Sequence, residues 1–179
     1  MSGRSLNKVY DAIDSQNYRG ALKLCDQLLR KNPAWEMVHA MKALVLFRLR
    51  RHEDAALLCA EIEGRGPTEE AVLNMMVHVY KAGGRAGDAI RLFESAWAKD
   101  TENVELAEGV FFCHARNGSY GKQQMAAMKM YKSFGEEKYM MWAVVSTLLQ
   151  VQSGGEPRLL ILAEMMLRKS SFLLSTYSF

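Results

Sequence analysis

Three cysteines, Cys25, Cys59 and Cys113, and four histidines, His39, His52, His78 and His114, are the side chains of this sequence best suited to metal or nucleophile chemistry. Zinc-binding histidines usually come as His-x-x-x-His on one helix face. No such pair occurs, and the adjacent Cys113 and His114 would point about 100° apart on a helix. Two glycine-rich stretches, GGRAG at 83–87 and GSYGKQ at 118–123, raise phosphate binding. A phosphate loop needs a strand before it and Gly-Lys-Ser/Thr at its end. Here Gln123 stands where a hydroxyl would meet magnesium, and helical sequence precedes it. Glu69-Glu70 and Glu136-Glu137 fall at helix starts, where a carboxylate stabilises the positive end of the helix dipole. No Gly-x-Ser-x-Gly elbow supplies a nucleophile. The expected catalytic, cofactor-binding and metal residues are therefore none, and the chain reads as a scaffold.

The spacing of the cysteines has a structural explanation. ALKLCDQLLRKNP at 21–33 returns as AALLCAEIEGRGP at 55–67. Ala21, Cys25 and Pro33 become Ala55, Cys59 and Pro67, each 34 positions on. The same step carries Ala55 to Ala89 and Cys59 to Phe93, then to Ala127. A period of 34 marks tetratricopeptide (TPR) repeats, each a pair of antiparallel helices. The small residue opens the second helix where two helices cross closely, and the bulkier residue lies one turn on along the same face. Pro33 and Pro67 sit where the second helix must stop, since proline cannot donate the next helical bond. Cys25 and Cys59 thus occupy a core position equivalent to Phe93, with neither disulfide nor metal expected.

The elements that follow are all helical: 5–15 with 18–32, 35–50 with 53–63, 68–82 with 86–99, 102–116 with 120–133, and 137–152 with 158–169. The expected fold class is all-α, a TPR-like stack of helix pairs in a right-handed superhelix, with units at about 5–34, 35–68, 69–102, 103–136 and 137–169. A divergent or disordered tail is expected at 170–179. Apolar residues make up 49% of the 179 and charged residues 24%, values of a folded soluble protein. No apolar run reaches the roughly 18 residues of a membrane span. The N-terminal MSGRSLNKVYDAID lacks the apolar stretch of a secretory signal. An odd, sparse set of cysteines fits a reducing, cytoplasmic setting. The net charge of +3 is uneven: residues 1–51 hold 10 Lys/Arg against 4 Asp/Glu, and residues 52–179 hold 13 against 16.

VYDAIDSQNYRGALKLCDQLLRKNP at 9–33 resembles the start of the auxiliary subunit family of the N-terminal acetyltransferase B (NatB) complex. The likeness continues through MKALVLFRLRRHEDAALLCAEI at 41–62. It returns at 111–150, with Ala115, Arg116, Gly118 and Tyr120 at a turn, then Tyr131-Lys132 closing a Met-rich helix and Trp142 in an aromatic one. The resemblance implies a non-catalytic scaffold that wraps a catalytic subunit, along a face lined by the first helices. Acetyl-CoA would be bound by that partner, and acetylation would fall on chains beginning Met-Asp, Met-Glu, Met-Asn or Met-Gln. It also implies ribosome association, for which Arg19, Lys23, Arg30, Lys31, Arg48, Arg50 and Arg51 are the expected RNA contacts; neither DNA nor membrane is an expected partner. SSFLLSTYSF at 170–179 does not resemble the family's next helices, so a truncation, a divergent splice product or a gene-model error is the expectation, with the partner bound weakly or not at all.

The residues bear on two other functions. A co-chaperone adaptor would hold a terminal carboxylate with Lys, Asn and Arg on successive first helices. The third unit offers Lys81 at the end of its first helix, and the second has Met41 and no Asn. An RNA-binding repeat would rest on the basic first third alone, which gives salt-sensitive, unselective contacts.

Overall fold

The structure is a computed structural model that describes the backbone of residues 2–176 and the side chains of residues 4–170. Among the described residues there are ten helices and no strand: α1 (Ser2–Asp14), α2 (Tyr18–Lys31), α3 (Glu36–Arg48), α4 (His52–Arg65), α5 (Glu70–Ala82), α6 (Ala86–Lys99), α7 (Val104–Arg116), α8 (Tyr120–Phe134), α9 (Glu137–Gln152) and α10 (Leu159–Thr176). They pair in sequence as α1/α2 through α9/α10. The chain divides into two compact units, residues 1–96 and 97–179, with the border inside the last turn of α6.

The first helix of a pair ends the same way each time. A residue with left-handed backbone follows it: Gln16 (φ 58°), Arg50 (φ 63°), Gly84 (φ 71°) and Gly118 (φ 67°), each 34 positions after the last. The next N–H then reaches back five residues, from Arg51 to Leu46 O (3.0 Å), from Arg85 to Tyr80 O (2.7 Å) and from Ser119 to His114 O (3.0 Å). These bonds satisfy carbonyls that a helix end leaves open. Glycine adopts this backbone freely, whereas a residue with a Cβ, such as Gln16 or Arg50, bears about 1–2 kcal/mol of strain.

The second helix opens on a side chain that repeats by the same step. Asn17 Oδ1 accepts the Gly20 N–H at 3.0 Å. In the next two pairs an arginine and an aspartate take over: Arg51 Nε donates to Asp54 Oδ2 at 2.7 Å, and Arg85 Nε donates to Asp88. The aspartates also meet the positive end of the helix.

In the first unit Ala21 and Ala55 are fully buried and Ala89 nearly so, with Cys25, Cys59 and Phe93 one turn further into the core. Pro33 follows the end of α2 by two residues, and Pro67 follows α4, which closes on left-handed Gly66 (φ 68°).

In the second unit α7 buries Leu106, Ala107, Val110, Phe111, Cys113 and His114, which is the α5 pattern moved by 34. In α9 the buried set is Tyr139, Met140, Ala143, Val144, Ser146 and Thr147, which lies 33 after α7. The strict 34-step therefore loses one residue at the fifth pair. At position 123, 34 after Ala89, a buried Gln replaces the small residue, and its Oε1 has no hydrogen-bond partner.

Two differences from the sequence reading concern the ends. α1 begins at Ser2, before the expected residue 5. The last helix runs to Thr176 instead of stopping at Lys169. SSFLLST contains neither glycine nor proline, so nothing local breaks it. Ser170 is buried and donates to Glu137 Oε2 at 2.7 Å, tying α10 to α9. The remainder of the expected tail, 177–179, lies outside the described residues.

Ala55→Glu should cost several kcal/mol, because it adds both bulk and charge to a fully buried site. Arg50→Gly should gain up to about 1 kcal/mol by relieving left-handed strain, and Gly118→Ala should lose about 1 kcal/mol. Urea midpoints of the three variants check the set, and a stabilised Ala55→Glu would show the crossing to be elsewhere.

Candidate functional site

The thiols are enclosed by the helix pairs that carry them. Cys25 and Cys59 are at most 1% exposed and free of disulfides. Burial, followed by the neighbouring Asp26, pushes the Cys25 thiol from its ordinary 9.0 up to about 12. Burial, followed by Glu63, pushes Cys59 up to about 11. Both therefore stay protonated at neutral pH, and a protonated thiol is neither a good ligand nor a good nucleophile.

The seven basic residues separate into two groups. Arg19, Lys23 and Arg30 stand on one exposed stripe of α2 at i, i+4 and i+11, with Lys31 beside them at the helix end. Arg48, Arg50 and Arg51 gather at the end of α3 and its turn, where Arg51 is already paired with Asp54. Lys42, also in this basic third, binds Asp26 at 2.8 Å and so is largely spent.

The surface feature that sequence reading missed lies in the second unit. Along α9 the solvent-facing positions include Met141, Val145 and Leu148, spaced i, i+4, i+7, and each is more than 40% exposed. Phe112 of α7, itself 40% exposed, lies against Trp142 with ring centroids 5.4 Å apart. Trp142 in turn stacks on buried Phe111 at 4.6 Å. Tyr139 donates to Glu108 Oε1 at 3.0 Å, and Lys138 reaches the same oxygen at 3.2 Å, so α7 and α9 are fixed to each other beneath the patch. A contiguous exposed apolar face held on a rigid base is characteristic of a protein-binding surface. The signal was present in the sequence: once α9 is read 33 residues after α7, Met141, Val145 and Leu148 fall on the open face.

Helix pairs closed by a recurring left-handed turn, with buried thiols and an apolar open face, define a helical-repeat protein of the TPR type. Residues 3–172 match the family described as Psidin, N-terminal TPR repeats region, and the chain belongs to that family. Among named proteins it is 35% identical over 174 residues to the N-terminal acetyltransferase B complex auxiliary subunit NAA25 of Arabidopsis thaliana, matching 93% of this chain and 16% of that one. It is 32% identical over 171 residues to the N-alpha-acetyltransferase 25, NatB auxiliary subunit, of Rattus norvegicus, matching 93% and 18%. The chain thus spans about a sixth of the length of these relatives. Among solved structures, a Naa15/Naa10 assembly bound to HypK-THB superposes with a TM-score of 0.60 at 20% identity, over 97% of this chain and 25% of that one. That likeness establishes the fold.

At pH 8 a thiol reagent should label Cys25 and Cys59 only on the unfolding timescale, and denaturant should expose both at once. Rapid labelling of native protein would contradict their burial. Since the folded thiols titrate above their unfolded counterparts, the stability they lend is complete below about pH 8.5–9. It should fall as pH rises from there through about 11 and 12.

Proposed function

We propose that this chain acts as a non-catalytic auxiliary component of an N-terminal acetyltransferase B, binding the catalytic subunit and supporting acetylation of nascent chains that begin Met-Asp, Met-Glu, Met-Asn or Met-Gln. The observation that carries this reading is family membership over 3–172, with relatives named as auxiliary subunits of that enzyme across 93% of the chain. In this reading acetyl-CoA is held by the catalytic subunit. The work is done in the cytoplasm, where nascent chains emerge. The α7–α9 face formed by Phe112, Trp142, Met141, Val145 and Leu148 is the contact assigned to the partner. A preformed helical face loses little ordering entropy when a partner docks. Once docked, it raises the rate by holding the partner's substrate loops in one geometry.

Co-expression with the catalytic subunit of a NatB enzyme tests this. The catalytic subunit should co-purify with a form of the chain extended to the relatives' length and weakly or not at all with the 179-residue form, and Val145→Glu, an exposed substitution, should weaken the association of the extended form about tenfold or more. The chain alone should transfer no acetyl group. Failure of the extended form to co-purify, with the full-length Arabidopsis relative binding in parallel, would overturn the reading.

A ribosome contact is favoured by one specific observation, the α2 stripe of Arg19, Lys23 and Arg30 with adjacent Lys31, none of which is engaged by a described acidic side chain. Reversing these four charges should reduce ribosome co-sedimentation and flatten its salt dependence, since each neutralised phosphate releases counterions. Unchanged sedimentation would remove the ribosome from the proposal.

A further inference from the structure

Within the first unit, the turn after α3 and the turn after α5 flank a cleft of about 470 Å³. That volume falls in the range of ligand and side-chain pockets. Phe47, Val79, Ala82 and the buried Cys59 give it an apolar floor, and Arg50, His52 and Arg85 stand around it. No aspartate or glutamate is among its lining residues. Of the carboxylates close in sequence to the lining, Asp88 is engaged by Arg85 and Arg91, Glu63 by the Tyr80 hydroxyl and Asp54 by Arg51, while exposed Glu53 beside His52 has no described partner.

The two guanidinium groups retain unused donors. Arg85 gives its Nε to Asp88 and lies over the Tyr80 ring at 5.0 Å, leaving its two terminal nitrogens without a described partner. The Arg50 side chain makes no described hydrogen bond or ion pair, and the residue stands at the left-handed position that Gly84 and Gly118 fill in the next two pairs. The turn closes equally well on glycine, so the arginine is unnecessary for the fold. What it adds is a charge at the cleft.

We propose that this cleft binds a short peptide segment in which a carboxylate side chain neighbours an aromatic or aliphatic one. A carboxylate meets guanidinium groups through paired, charge-assisted hydrogen bonds. The adjacent apolar side chain covers Phe47, Val79 and Ala82 and withdraws that floor from water. A phosphodiester chain would satisfy the arginines and leave the floor wet. This site is independent of the acetyltransferase reading and lies in the other compact unit from the α7–α9 face.

The test uses a fluorescein-labelled Gly-Phe-Glu-Gly peptide, its Gly-Phe-Gln-Gly counterpart and a labelled oligouridylate, each titrated by anisotropy. The glutamate peptide should bind saturably and the glutamine peptide about tenfold more weakly or worse. Arg50→Gly should weaken the glutamate peptide to a similar degree while its melting temperature holds or rises, which separates lost binding from lost folding. Ala56→Trp, an exposed lining position on α4, should block the cleft sterically. Equal binding of the two peptides, or unchanged binding in both variants, overturns the proposal. Oligouridylate binding that Arg50→Gly weakens, with the glutamate peptide silent, also overturns it and makes the cleft a phosphate site.

Discussion

One backbone hydrogen bond, from the N–H just past each turn to a carbonyl five residues earlier, closes α3, α5, α7 and α9. In each the residue before that N–H is left-handed, at positions 50, 84, 118 and 154. The bond fixes how sharply the chain reverses, and the reversal fixes where the second helix crosses the first. At that crossing the first three pairs bury Ala21, Ala55 and Ala89, and the fourth buries Gln123. The buried thiols follow from the same geometry, because Cys25 and Cys59 lie one turn beyond the crossing alanine, where Phe93 fills the next pair.

Stacking pairs in this way buries most of each helix but always leaves one stripe of every first helix open. What that stripe carries is free of the packing constraint, so it can differ from pair to pair. In α5 the half-exposed and exposed positions include Asn74, His78 and Lys81; in α9 they include Met141, Val145 and Leu148. About half of each of these apolar side chains stays in water, which is unfavourable. A partner surface relieves that cost, which links the packing of the second unit to the auxiliary role proposed for the chain. The basic stripe of α2 is free in the same sense, with mobile charged side chains on a fixed helix.

Arg50 shows the two demands meeting at one residue. The turn asks for a left-handed backbone, which glycine supplies without strain. The sequence supplies arginine and accepts the strain, and the guanidinium stands unpaired beside an apolar cleft. Strain retained at a site with no structural need for that side chain is the kind that function holds in place.

The sequence by itself determined the helix pairs, their 34-residue step and the core role of Ala21, Ala55, Cys25 and Cys59, because small and apolar residues at a fixed period can bury only one way. It also placed the chain in its family, through turn and aromatic residues such as Gly118, Tyr120 and Trp142. Tertiary structure alone decided three things. The one-residue shift before α9 was hidden, since a register is set by what α7 presents, as when Phe111 stacks on Trp142. The continuation of α10 depended on Ser170 reaching Glu137 across two helices. The division of the basic residues depended on which carboxylates lay in range: Arg51 found Asp54 three residues on, while Arg50, its neighbour, was turned toward the cleft by a left-handed backbone that no period in the sequence reveals.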